Sequence, residues 1–186
     1  MEITKTAARA AMELSATLEK IDEAQVQALV DAVMSAQRIY FAGAGRSLLA
    51  LRCVAMRFMH VNFEVYIVGD TTTPAFTDKD LLIVGSGSGE TAGMINVASK
   101  AKKLGGKVAL FTIREQSTLA SLADLTVRIP AYTDKVEDPA MVKPILPGGT
   151  MFEQSMLVLG DTMILELGKR QGVSTETYFV RHANLE

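Results

Sequence analysis

The chain has 186 residues, 48% of them hydrophobic and 22% charged, enough for one well-cored domain and cramped for two. A formal net charge of −2 without a basic stripe lacks the electrostatic footprint of a nucleic-acid binder. A single cysteine, Cys53, excludes an internal disulfide framework, and two histidines, His60 and His182, offer no clustered ligand spacing, so a site without metal or cofactor is expected.

No cleavable leader or long apolar span precedes the first amphipathic segment, so a cytoplasmic setting without membrane contact is the expectation. An Ala-rich helix is predicted over residues 4–20. Asp22 followed three residues later by Gln25 has the form of a capping box and starts a second helix running to about Ala36. Five short apolar and β-branched runs then follow: Arg38–Ala42, Glu64–Val68, Asp80–Gly85, Lys107–Thr112 and Leu125–Ile129. Strands alternating with helical stretches predict an α/β fold, a single doubly wound domain over 1–186. Its five-stranded parallel sheet is flanked by helices in the flavodoxin-like manner.

Cys53 falls among Leu49, Val54 and Met56 in the helix after the first strand, where a buried core thiol is expected. His60, near the end of that helix, reads as helix-end packing or capping. Four of the five prolines lie between Pro130 and Pro147, predicting an irregular connection and a candidate lid. A last helix is expected over Thr150–Gln171. Phe152, Met156, Leu159, Met163 and Leu167 form one stripe on it, while Leu157, Val158, Ile164 and Leu165 make its other faces apolar. Such a helix is expected to be buried on several sides, in part against another subunit.

In open parallel sheets, ligands bind beyond the carboxyl ends of the strands, where strand order reverses. Gly43-Ala44-Gly45-Arg46-Ser47 follows the first predicted strand, and Gly85-Ser86-Gly87-Ser88-Gly89-Glu90-Thr91 follows the third. Glycines let the backbone approach a ligand, helix starts offer amide N–H groups, and Ser86, Ser88 and Thr91 add hydroxyls. That chemistry suits a phosphate monoester. The plainer alternative is that the hydroxyls only cap the helix. The first turn alone would also open a dinucleotide site with Asp70 on the ribose, although Leu48 stands where that motif has its third glycine.

These two turns resemble the sugar isomerase (SIS) domain family, whose phosphosugar site pairs a Gly-x-Gly-x-Ser turn with a Ser-x-Ser-Gly-Glu-Thr turn. Ser86-Gly87-Ser88-Gly89-Glu90-Thr91 matches the second in full. Ala55-Met56-Arg57-Phe58-Met59-His60, Ile67-Val68-Gly69-Asp70-Thr71, Gly149-Thr150-Met151-Phe152-Glu153-Gln154 and His182-Ala183-Asn184-Leu185-Glu186 extend the resemblance along the chain. Leu48 and Asp70 depart from the family's usual Gly and Glu.

The resemblance implies interconversion of 3-hexulose 6-phosphate and fructose 6-phosphate through a cis-enediol(ate), the step after formaldehyde is fixed onto ribulose 5-phosphate. It also implies a homo-oligomer, a tetramer. Related readings are another aldose–ketose phosphosugar isomerase, of the arabinose 5-phosphate type, and a noncatalytic phosphosugar sensor. Arg46, Ser47, Ser86, Gly87, Ser88, Glu90 and Thr91 are the expected substrate-binding residues. Glu153 is the expected proton-transfer base, with Met151 and Phe152 expected to desolvate it and raise its basicity. Glu90 is the competing candidate. His182 is the second expected catalytic residue, for acid/base or ring-opening work in its own or a neighbouring subunit.

Overall fold

The computed structural model describes residues 2–134, 142–173 and 178–185. Helices α1 (Ile3–Leu18) and α2 (Glu23–Ser35) lead into β1 (Ile39–Gly43), α3 (Gly45–His60), β2 (Val65–Ile67) and β3 (Leu81–Gly85). The chain continues through α4 (Ala92–Lys103), β4 (Lys107–Thr112), α5 (Thr118–Leu122), β5 (Leu125–Arg128) and α6 (Thr150–Gln171), with a short 3-10 turn at Tyr178–Arg181. Each expected strand is present within a residue or two. Asp22 caps α2 by accepting from the Ala24 amide at 2.8 Å. Gln25 does not close the expected box: its amide group reaches Glu115 and takes the Arg128 N–H at 2.8 Å, tying α2 to β5.

The strand order is β2-β1-β3-β4-β5, all parallel. The central strands β1 and β3 are buried at every position, which is why they read as continuous apolar runs. Their side chains alternate between two cores. Ile39, Phe41, Leu81, Ile83, Ala109 and Phe111 face the layer of α2, α3 and α6. Tyr40, Ala42, Leu82, Val84, Val108 and Leu110 face α4 and α5. Because β1 leads outward to β2 while β3 leads the other way to β4, the order reverses between β1 and β3. The loops leaving these two strands therefore part over a crevice.

Helix α6 is more enclosed than a subunit-facing helix need be. Met151, Phe152, Ser155, Met156, Met163, Ile164 and Leu167 are buried within the chain, and α1, α2 and α3 pack around it. Of its apolar residues, Val158 and Leu165 are exposed. Cys53 corrects an expectation: it is exposed, on a face of α3 shared with exposed Leu49 and Met56. The core face of α3 is made by Leu51, Val54, Ala55 and Phe58.

Candidate active site

Three helices begin around one cavity of about 190 Å³, lined by Ala44, Ser47, Gly85, Ser86, Gly87, Ser88, Thr91, Ile113, Thr133, Gly149, Phe152 and Glu153. Ala44, Thr91 and Gly149 are the N-cap residues of α3, α4 and α6, and none of the three supplies a side-chain cap. Of the other helices, α2 and α5 are capped, by Asp22 and Ser117, while α1 also starts without a side-chain cap. Each uncapped start presents amide donors and the positive end of a helix dipole, so the cavity gathers three anion-attracting termini. A larger cavity of about 350 Å³ touches α6 through Met151, between α1 and the segment after β5. It has neither strand-end glycine turn.

The capping alternative fails at Thr91. Its hydroxyl makes no cap bond and lies 3.2 Å from the Ser86 hydroxyl instead. Ser88 accepts the Glu90 N–H at 3.3 Å, keeping the turn closed on itself. Gly89 holds φ at +69°, a left-handed conformation that a side chain would strain, and a Cβ there would fall 2.0 Å from the Ser117 hydroxyl.

Glu153, in the first turn of α6, lines the cavity. Phe152 lines the cavity beside Glu153, whereas Met151 lies in the core and at the neighbouring cavity, and the largely shielded carboxylate is paired with a cation. The Arg46 Nε–H donates to Glu153 Oε2 at 2.5 Å, with 64% of the arginine side chain exposed against 14% of the glutamate. The other oxygen, Oε1, lies toward Gly149, where a Cβ would meet it at 3.6 Å. Arg46 thus stands on the rim and grips Glu153, while Ser47, Ser86, Gly87, Ser88 and Thr91 line the cavity itself.

Glu90 is turned away from the cavity. Its Oε1 accepts the Thr118 N–H at 2.9 Å, and the bonds from Thr118 hold its carboxyl below the ordinary carboxylate range. His182 is not brought to Glu153 within the chain. It stacks on His60 with ring centroids 5.2 Å apart and planes 14° from parallel, and His60 also meets Tyr178 edge-on. His60 ends α3 while Arg46 begins it, a separation of roughly 21 Å at 1.5 Å per residue. Burial first, then the Arg57 and His182 charges, lowers the His60 pKa from its ordinary 6.5.

Asp70, the residue that a dinucleotide site would have used, is paired with Arg52 at 2.5 Å. Among the described residues no three His, Cys, Asp or Glu side chains converge to hold a metal ion, and no helix is long and apolar enough to cross a membrane. Sequence reasoning missed Ile113 and Thr133, which line the cavity from beyond β4 and β5. The strand-end rule already applied to β1 and β3 would have reached both.

A parallel sheet with this order, and a serine-bearing turn after β1 and a hydroxyl-rich turn after β3 meeting an acidic helix start, define a SIS-type protein. The chain belongs to the SIS domain family, whose pattern it matches over residues 33–157. It is 41% identical over 186 residues to a 3-hexulose-6-phosphate isomerase of Bacillus subtilis (strain 168), covering 100% of both chains. To one of Mycobacterium gastri it is 40% identical over 185 residues, covering 100% of this chain and 92% of that one. Among solved structures, a hypothetical protein from Methanococcus jannaschii, whose structure inferred a 3-hexulose-6-phosphate isomerase function, superposes with a TM-score of 0.81. It shares 33% identity, with 100% of both chains covered.

Proposed function

We propose that the chain is a phosphosugar isomerase that interconverts 3-hexulose 6-phosphate and fructose 6-phosphate, acting as a homo-oligomer. The observation that carries this reading is the meeting of three uncapped helix starts, a hydroxyl-lined turn and one carboxylate in a single cavity. The helix starts and the hydroxyls of Ser47, Ser86, Ser88 and Thr91 receive the phosphate dianion. The identities to full-length relatives of that name support the substrate assignment.

The chemistry follows from the substrate. Moving the carbonyl from C3 to C2 requires a base to remove the C2 proton, giving a cis-enediolate in which the hydroxyl proton passes from O2 to O3 before C3 receives a proton and C2 becomes the carbonyl. One carboxylate serves both transfers, because the proton leaves and returns on neighbouring carbons. Glu153 Oε1 is the base, and Arg46, by holding Oε2, keeps that oxygen aimed and supplies positive charge beside the developing enediolate. The 3-hexulose starts open-chain, since O6 carries the phosphate and is not available to close a ring on C3. Ring opening is needed in the reverse direction, where fructose 6-phosphate is the substrate.

A coupled assay that compares 3-hexulose 6-phosphate with arabinose 5-phosphate tests the assignment. Turnover of the hexulose phosphate is expected to exceed that of the pentose phosphate by orders of magnitude. Equal or reversed rates would move the chain to another phosphosugar isomerase reaction.

A further inference from the structure

We propose that the end of β4 and the segment after it brace the phosphate-binding turn and that Thr112, the last residue of β4, is the principal positioning residue. The idea rests on the phosphosugar reading of the cavity. Thr112 is fully buried, lies outside the cavity lining and carries a hydroxyl whose two bonds both serve loops. It donates to the Gly87 carbonyl at 3.2 Å and accepts the Arg114 N–H at 3.2 Å. The Ile113 N–H donates to that same Gly87 carbonyl at 3.1 Å. Farther along, the Leu119 N–H donates to the Gly89 carbonyl at 3.0 Å, and Thr118 donates to Glu90.

The carbonyls of Gly87 and Gly89 are thus both pulled toward the β4–α5 side. A peptide unit whose carbonyl is fixed on one side presents its N–H toward the other, because the group is planar and trans. The brace therefore sets the outline of the turn that carries Ser86, Ser88 and Thr91. Ser117 packs so closely on Gly89 that no Cβ fits between them, which keeps the two segments in register. Without Thr112 the Gly87 carbonyl keeps one donor, and the Arg114 amide loses its part-buried acceptor. The turn then samples shapes that no longer match a phosphate.

Thr112→Val keeps the shape and removes both hydroxyl bonds, while Thr112→Ser keeps the hydroxyl and removes a methyl group. Calorimetry with inorganic phosphate and with fructose 6-phosphate is expected to show both dissociation constants rising by about tenfold in Thr112→Val, and Thr112→Ser remaining within about threefold of wild type. In turnover assays KM should rise by a similar factor with kcat nearly unchanged, a split that general destabilisation would not give. If Thr112→Val does not fold, Glu90→Ala decides, since it removes a surface strut of the same brace and should raise KM rather than lower kcat. A wild type that binds neither ligand overturns the phosphosugar reading together with the brace. Wild-type binding that Thr112→Val leaves unchanged, or that Thr112→Ser loses equally, overturns the brace alone.

Discussion

Glu153 and Arg46 form one ion pair in which the guanidinium holds Oε2 and Oε1 lies toward Gly149, itself a residue of the cavity lining. Glu153→Gln keeps size and hydrogen bonding but removes the base, so turnover should fall by about 10² to 10⁴ while fructose 6-phosphate still binds by calorimetry. If more than about a tenth of turnover survives, a smaller loss than removal of a general base causes, the role passes to another group. Arg46→Met should lower kcat by roughly tenfold and leave phosphate affinity less affected, because Arg46 grips the base rather than lining the cavity. A loss of affinity larger than the loss of kcat would instead put the guanidinium on the phosphate. His60 titrates in the opposite sense to an imidazole that gains an anionic partner. Its pKa is lowered in the fold, so as pH drops through about 6.5 the unfolded chain takes up a proton first and stability falls. His60→Gln should flatten the pH dependence of Tm below that value, and an unchanged slope would place the effect elsewhere.

Strands β1 and β3 owe their start to a pair that no local pattern announces. Asp80, buried just before β3, accepts Arg38 Nε at 3.0 Å and Nη2 at 2.8 Å, together with the Thr77 N–H at 2.7 Å. Burial pushes its carboxyl up, but the bonds from Arg38 and Thr77 outweigh burial and hold it below the ordinary 3.8. Its contribution to stability is complete above that value and is lost as pH falls below it. Asp80→Asn leaves the partly exposed Arg38 short of its counter-charge and weakens the bonds around a buried side chain, and should cost about 1 to 3 kcal/mol in denaturant unfolding. The strands themselves were legible because both faces of β1 and β3 are buried and their residues are apolar throughout. Helix faces were harder to read. Helix α3 is apolar on two sides, and one-dimensional spacing does not tell the side of Leu51 and Phe58, which is core, from that of Leu49, Cys53 and Met56, which is exposed. The candidate site was legible at Ser47, Ser86, Ser88, Thr91 and Glu153 because each follows a strand end or opens a helix. The Arg46–Glu153 pair spans 107 positions and the Gln25 clasp on Arg128 spans 103, so neither leaves a local signature.

At the scale of the molecule, Leu49, 62% accessible, and Met56, 55% accessible, share one exposed face of α3 with Cys53, an apolar stripe of the kind that marks an interaction surface. Light scattering at micromolar concentration is expected to give a multiple of the 20.0 kDa chain mass. A particle of a single chain would contradict the oligomer. The stacking of His182 on His60, at the end of α3 away from Arg46, has a genetic consequence. If the His182 imidazole takes part in catalysis from that position, it does so at the cavity of another copy, and each functional centre is a joint product of two chains. On that premise Glu153→Gln and His182→Ala should each lose turnover alone and complement one another: co-expressed or mixed and allowed to exchange subunits, they rebuild centres with one intact contribution from each parent. Recovery of turnover in the mixture, absent from either variant alone, is the expected outcome. Exchange without recovery would mean that each chain equips its own cavity.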